Sequence, residues 1–309
     1  MKLITIIVPC LNEEESIPIF YKEIHKVISD SEQDFPDASF EILFIDDGSK
    51  DGTLKEIKNL RDKDNRVRYI SFSRNFGKES AIYAGFENAR GDYVVCMDVD
   101  MQDPPKLLKD MYRAVTVENY DSCATRRVTR KGEPPIRSFF ARQFYKIMRK
   151  ISDTEVMDGA RDYRMMKREM ADSILSMHEY SRFTKGIYGW VGYKTKWLEF
   201  ENVERAAGET KWSFWGLFRY AIEGVLAFST VPLELILWIG VIMSGLSFIA
   251  LIVSCIFYSF WGFLPLIVSL IVFIGAMQTA FLGVISIYLA KTYLETKKRP
   301  IYIYKEKSE

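Results

Sequence analysis

The stretch Tyr93-Val94-Val95-Cys96-Met97-Asp98-Val99-Asp100 decides how the rest of the chain is read. Its first five residues are apolar and too few for a helix, which marks a buried strand. Two carboxylates two positions apart then follow, at a place where burying charge is costly. Outward from it, residues 3–8, 41–45, 67–72 and 122–125 repeat the short apolar, β-branched pattern. Between these runs, Ile17, Phe20, Ile24 and Val27 recur at helical spacing, as do Leu54, Ile57 and Leu60. The pattern predicts a third helix over residues 79–89 and a fourth after Pro104 and Pro105, because proline can open a helix but not continue one. Strand alternating with helix means an α/β fold with a mostly parallel sheet covered on both faces. Such sheets bind ligands beyond the carboxyl ends of their strands.

Those ends carry the chemistry. The first strand runs into Pro9-Cys10-Leu11-Asn12-Glu13-Glu14, the second into Asp46-Asp47-Gly48-Ser49-Lys50-Asp51-Gly52-Thr53, and the fourth into Asp98-Val99-Asp100-Met101-Gln102-Asp103. Three carboxylate-bearing ends repel one another unless cations or hydrogen-bond donors sit among them. Asp47-Gly48-Ser49 also suits a plain turn, with Asp51 or Thr53 capping a helix. Asp98 and Asp100 are more pointed. On an extended segment they face the same side and can grip one hard divalent ion together with phosphate oxygens. Ser73-Arg74-Asn75-Phe76-Gly77-Lys78 is not a P-loop, since Phe72 holds the upstream glycine position and Glu79 replaces the Ser or Thr after the lysine. No G-x-G-x-x-G follows any strand. Arg126, Arg127, Arg130, Lys131 and Arg137 form a basic cluster suited to gripping anions, although Arg127, Arg130 and Lys131 suit a solvated loop drawn to anionic lipid equally well.

Composition sets the remaining bounds. Forty-two Lys and Arg against 41 Asp and Glu leave a net charge of +1, which argues against nucleic-acid binding. With 48% hydrophobic residues, the chain is not a disordered one. The mean hydropathy of −0.05 conceals a segregation: residues 235–290 contain no charged side chain and no histidine. That length fits two membrane helices of roughly 20–25 residues with a tight connection. Arg219 precedes the pair and Lys291, Lys297, Lys298 and Arg299 follow it, so the positive-inside rule places both ends in the cytoplasm. Residues 212–229 are apolar and aromatic but broken by Arg219 and Glu223, a pattern that suits an interfacial helix and, alternatively, an ordinary core helix. Cys10, Cys96, Cys123 and Cys255 form no C-x-x-C pair and read as buried free thiols. His25 and His178 lack metal-ligand spacing and are expected on helix surfaces. The apolar run at residues 3–8 is too short for a signal peptide.

Taken together, these blocks resemble the family-2 glycosyltransferases with the Rossmann-like GT-A fold. More narrowly, they are similar to the polyprenyl-phosphate glycosyltransferases, a group that includes dolichyl-phosphate mannose synthase and bactoprenol glucosyltransferase. Further matching blocks are Asp162-Tyr163-Arg164-Met165-Met166, Lys185-Gly186 with Trp190-Val191-Gly192, and Arg205 through Trp212. The segment Thr292-Tyr293-Leu294-Glu295-Thr296-Lys297-Lys298-Arg299-Pro300 matches the bactoprenol branch. The resemblance implies that Pro9, Leu11, Glu13, Asp46, Asp47, Lys78, Asp98, Arg205 and Lys211 bind the nucleotide sugar. It implies that Asp98, Asp100 and Gln102 hold Mg²⁺ or Mn²⁺, and that Arg126 and Arg137 grip the acceptor phosphate. Asp162, Asp100 and Arg164 become the expected catalytic groups, with Asp158 competing for the role of Asp162. The implied reaction moves a hexose, glucose from UDP-glucose first, onto undecaprenyl phosphate at the cytoplasmic leaflet, for cell-surface polysaccharide modification. UDP-GlcNAc, UDP-galactose and GDP-mannose are the alternative donors, and a membrane-tethered sensor or scaffold is the non-enzymatic one. The expected organisation is a cytoplasmic transferase domain over residues 1–211, an interfacial region over 212–232, two transmembrane helices over 233–290 and a cytoplasmic tail over 291–309. Expected partners are the membrane, further copies of the chain, a downstream flippase and an external transferase, with no nucleic acid.

Overall fold

A computed structural model describes residues 1–30, 35, 37–128, 157, 159–180, 182–201 and 263–308, with isolated positions between 222 and 249. The strands are β1 (Lys2–Cys10), β2 (Ala38–Asp46), β3 (Val67–Phe72), β4 (Tyr93–Cys96), β5 (Ser122–Arg127), β6 (Ala160–Lys167), β7 (Thr195–Phe200) and β8 (Tyr304–Lys307). The helices are α1 (Ser16–Asp30), α2 (Thr53–Lys63), α3 (Lys78–Asn88), α4 (Leu108–Thr116), α5 (Arg168–Leu175), α6 (Thr184–Trp190) and α7 (Phe263–Thr296), with a 3₁₀ turn at Pro105–Leu107 before α4. All eight strands form one sheet in the order β7-β5-β6-β4-β1-β2-β3-β8. β4, β1, β2 and β3 run parallel to one another, as does β5 with β7. β6 and β8 are antiparallel to their neighbours.

The apolar runs form strands because each face of the sheet has a layer to bury it. Ile4, Ile6 and Val8 of β1 pack under Ile17, Phe20 and Ile24 of α1 and Met111 of α4. Ile7 faces the opposite layer, with Ala81 and Ile82 of α3, Met170 and Ile174 of α5, and Ile187 of α6. Each such fully buried side chain contributes about 1.5–3 kcal/mol. Gly85 lets α3 approach β1 closely, since a Cβ there would lie 2.2 Å from Ile7 Cγ2.

The expected strands and helices of the first half are present, with boundaries shifted by a few residues. Asp98 and Asp100 lie in the turn beyond β4 rather than on the extended strand. There Met101 adopts a left-handed φ of 61°, an uncommon conformation for a residue with a Cβ. β6, α5, α6, β7 and β8 escaped the apolar-run pattern. β6 reads Ala-Arg-Asp-Tyr-Arg-Met-Met-Lys, and its charged residues mask it. Cys10, Cys96 and Cys123 are buried free thiols, as expected. His25 is half-buried on α1, whereas His178 is exposed in the loop after α5 rather than on a helix.

Two expectations for the C-terminal third change. Among the residues described in full, no helix is long and apolar enough to cross a membrane, so the structure does not display the expected hairpin. Its first span falls almost wholly outside the described residues, and its second coincides with the 34-residue α7, of which some side chains are not described. The tail is also more than a tail. β8 pairs antiparallel with β3, Lys58 binds Glu306 at 2.7 Å, and the Tyr302 ring stacks on Phe72 with centroids 4.9 Å apart.

Candidate active site

Because β1, β2 and β4 run parallel, their carboxyl ends open on one side of the sheet. The segments leaving them enclose a cavity of about 390 Å³. Pro9 and Leu11 come from the end of β1, Glu13 from the following loop, Asp47 from the end of β2, Lys78 from the start of α3, and Asp98 and Asp100 from beyond β4. Six of the nine residues expected to bind the nucleotide sugar, plus Asp100, therefore converge.

Local chemistry fixes each wall. Asp47 is 3% exposed and accepts hydrogen bonds from the Phe76 and Gly77 backbone N–H groups at 2.7 and 3.0 Å, tying β2 to the entrance of α3. Burial nevertheless pushes its carboxyl up to about 6. Gly48 follows at a positive φ of 68°, where a Cβ would strike the Arg74 backbone at 2.5 Å. Glu13 accepts from the Ser16 hydroxyl at 2.7 Å. Asp100 accepts from the Gln102 backbone N–H at 3.1 Å, which closes the turn that carries the carboxylate into the cavity. Gln102 itself does not line the cavity. Asp46 is absent from the wall as well. Its two oxygens accept from the Ser49 N–H at 3.0 Å and the Ser71 hydroxyl at 2.7 Å, so it builds the turn and braces β3.

Lys78 is the pivot. Its Nζ lies 2.7 Å from Asp98 Oδ1 and 2.9 Å from Asp98 Oδ2, and 2.6 Å from Asp162 Oδ2 on β6. Burial by itself depresses the ammonium pKa, but the Asp162 and Asp98 charges outweigh it and raise the value well above the ordinary one. Burial likewise opposes ionisation of Asp162, yet Lys78 holds that carboxyl below its usual range. Asp162 thus stays an ionised, cation-paired carboxylate, better suited to orienting a substrate than to accepting a proton.

A second pair was not anticipated. Arg161 Nε donates to Asp103 Oδ1 at 2.9 Å and its Nη2 stands 3.9 Å from Asp98 Oδ2. Asp103 is fully buried, and burial pushes it up to about 6. The only available signal was position, Asp103 closing the Asp98–Asp103 block and Arg161 preceding Asp162.

The remaining expected residues lie elsewhere. Arg164 is 3% exposed on β6, donates through Nη1 to Ser122 Oγ at 3.1 Å and Thr195 Oγ1 at 3.3 Å, and borders a second cavity. Arg126 is paired with Glu199 across β5 and β7, on the wall of neither cavity. Arg137, Asp158, Arg205 and Lys211 lie outside the described residues.

Among the described residues, no cluster of three or more His, Cys, Asp or Glu could cage a metal ion by itself. Two hard carboxylates sharing one cavity wall do match the donor set of a divalent ion that takes its other oxygens from substrate phosphates and water. The residues present therefore fit Mg²⁺ or Mn²⁺ held by Asp98 and Asp100, with no support for Gln102 as the third ligand.

Residues 5–175 match the family described as Glycosyl transferase family 2. The chain is 38% identical to the prophage bactoprenol glucosyl transferase homolog of Escherichia coli (strain K12), with 98% of each chain covered. It is 36% identical to the bactoprenol glucosyl transferase of Shigella phage SfV, with 99% of each covered. It is 40% identical to CsbB of Bacillus subtilis (strain 168), which bears a provisional glycosyltransferase name, over 98% of this chain and 92% of that one. The family match and these relatives, aligned over nearly their whole length, show that the chain belongs to glycosyl transferase family 2 and is a glycosyltransferase.

Proposed function

We propose that the chain transfers a hexose, glucose from UDP-glucose first among the candidates, onto a polyprenyl phosphate such as undecaprenyl phosphate at the cytoplasmic face of a membrane. The observation that carries this reading is the meeting of Asp98 and Asp100 on one cavity wall, with Asp162 a single lysine away. The bactoprenol glucosyl transferase names of relatives aligned along almost their whole length support the acceptor class. A bound Mg²⁺ or Mn²⁺ supplies neutralisation of the charge that develops on the departing nucleoside diphosphate. Pro9, Leu11, Glu13 and Asp47 seat the nucleoside. Asp162 orients the sugar. A phosphate monoester has a second pKa near 6 and is substantially ionised at neutral pH, so the nucleophile needs no strong base.

A membrane site for residues 233–290 is part of the proposal. Two features support it. Ile267, Ile271 and Phe273, then Leu282, Ile285 and Leu289, are exposed along α7, and a helix apolar all round belongs in lipid or in a large core. Moreover, β8 is hydrogen-bonded into the same sheet as β1–β4. A chain that leaves the sheet, enters a membrane and returns to that sheet must cross an even number of times, as a hairpin does.

The test incubates the full chain and undecaprenyl phosphate with radiolabelled UDP-glucose, UDP-GlcNAc, UDP-galactose and GDP-mannose, with and without EDTA. A chelator-sensitive labelled lipid from UDP-glucose is the expected result. Label from another donor reassigns the sugar, and label from none overturns the reading.

A further inference from the structure

Glu79 follows Lys78 in the first turn of α3, yet it does not line the cavity at the strand ends. Its Oε2 accepts the Thr184 backbone N–H at 2.9 Å and also the Thr184 hydroxyl. Thr184 opens α6 and is 1% exposed, so loss of the carboxylate would leave two buried donors without it. Phe183, the residue before α6, has no side-chain oxygen with which to cap that helix, and α3 supplies the missing acceptor from 105 residues away. Apolar packing holds the later part of α6. Ile187 shares a core with Ala81 and Ile82 of α3, and the Tyr188 ring meets Phe86 edge-on with centroids 6.5 Å apart. Such contacts are non-directional, which leaves the placing of the first turn to the Glu79 clamp. A lysine flanks the clamp on each helix. Lys78 Nζ binds Asp98 and Asp162, and Lys185 directly follows Thr184. Burial opposes ionisation of Asp162, and the charges of Lys78 and then Lys185 lead in overcoming it. Two consecutive residues of α3 and two of α6 thus serve one carboxylate.

We propose that Glu79 is a positioning residue: by clamping Thr184 it sets the Lys185 ammonium toward Asp162, and so fixes the carboxylate that orients the sugar. The proposal rests on the role given to Asp162 above and names what keeps that side chain in place. Lys78 by itself is a divided anchor, because its ammonium also lies 2.7 and 2.9 Å from the two oxygens of Asp98. Any ligand that engages Asp98 competes for that contact and loosens the hold of Lys78 on Asp162. Lys185 does not border the cavity that Asp98 lines, so its attraction to Asp162 persists whatever occupies Asp98. Glu79 lines neither cavity. Its effect therefore runs through the Thr184 bonds to Lys185.

In the full chain, Glu79→Ala should lower kcat for lipid glycosylation about tenfold or more, as a misplaced orienting group does. The KM for UDP-glucose should stay within about twofold, because Pro9, Leu11, Glu13 and Asp47 still seat the nucleoside. Lys185→Met should lower kcat to a similar extent. Glu79→Gln should retain most of kcat, since a single carboxamide oxygen can accept both Thr184 bonds. The decisive comparison is the double variant. If Glu79 acts through Lys185, adding Glu79→Ala to Lys185→Met costs less than about twofold further, whereas losses that multiply overturn the proposal. Thr184→Val keeps the N–H bond and the core volume, should show the same pattern in weaker form, and serves the same cycle if Glu79→Ala does not fold. Glu79→Gln as poor as Glu79→Ala, an unchanged kcat, or a raised KM for UDP-glucose with kcat unmoved also overturns the proposal. Amide hydrogen exchange at Thr184 and Lys185 reads the clamp without turnover. It should be faster in Glu79→Ala and near wild type in Glu79→Gln, and unaltered exchange in Glu79→Ala overturns the clamp. If the wild type labels no lipid from any donor, the transferase reading fails by itself, while exchange still decides whether Glu79 holds α6.

Discussion

Asp47→Asn should stabilise the nucleotide-free protein at neutral pH and weaken its grip on nucleotide. The carboxyl sits at 3% exposure, and burial lifts it from 3.8 to about 6. Its folded pKa exceeds its unfolded one, so the folded chain holds the proton more tightly. Stability is complete below about pH 3.8, falls as pH rises through about 6, and stays reduced above it. That interval corresponds to about 3 kcal/mol at 1.36 kcal/mol per pH unit. An asparagine removes the ionisation. Asp47 Oδ1 reaches both backbone donors, at 2.7 and 3.2 Å, so a carboxamide oxygen can keep both bonds with its NH₂ turned to the cavity. Exchanging a charged acceptor for a neutral one gives back about 1 kcal/mol. The expected net gain is about 2 kcal/mol at pH 8 and close to zero at pH 4. Urea unfolding at pH 4, 6 and 8 measures it, and calorimetric titration with UDP measures the accompanying loss of affinity. A stability difference that does not vary with pH, or a variant less stable at pH 8, refutes the burial argument.

Alanine at both Asp98 and Asp100 should lower glycolipid synthesis at least about a hundredfold, because several kcal/mol of leaving-group stabilisation goes with the cation site; radiolabelled lipid formation reads it. Lys78→Met should tighten Mn²⁺ binding without nucleotide, since the ammonium within 2.9 Å of both Asp98 oxygens no longer competes. Electron paramagnetic resonance of free Mn²⁺ measures this, and unchanged affinity counts against the competition. Arg126→Ala removes an ion pair whose side chains are 34% and 53% exposed, so urea unfolding should show a loss below about 1 kcal/mol. Tyr302→Ala removes the stack on Phe72 and the bonds to Asn88 and Glu87. A loss of about 2 kcal/mol is expected for this half-buried ring, with faster amide exchange in β3; unaltered exchange there would mean that the tail does not brace the sheet.

The carboxylates of the cavity at the strand ends were legible because they sit next to the strands that present them. Val94, Val95, Cys96 and Met97 announce a buried strand, and a charge directly after such a run has few reasons to be there except a ligand. Asp46 was misjudged for the same reason. Adjacent to Asp47, it looks identical in sequence, and strand alternation turns it to Ser71 instead of the cavity. Arg126 carries the right charge for an acceptor phosphate, yet its partner Glu199 is 73 residues away on β7. Nothing local reveals that pairing.

The periodicity of apolar residues determined the α/β class and the parallel centre of the sheet, because burial on both faces and helical crossovers are local demands met segment by segment. The charge-free 235–290 stretch likewise set the expectation of a membrane site by composition alone. Tertiary structure decided which charges neutralise which: Lys78 between Asp98 and Asp162, and Arg161 on Asp103. It also decided that the C-terminus returns as β8 to the edge of the sheet. These outcomes depend on strand order and register, which bring Lys78 and Asp162, 84 residues apart in sequence, within hydrogen-bond distance. Coulombic and hydrogen-bond energies are set by those distances through space, and distance along the chain carries almost none of that information.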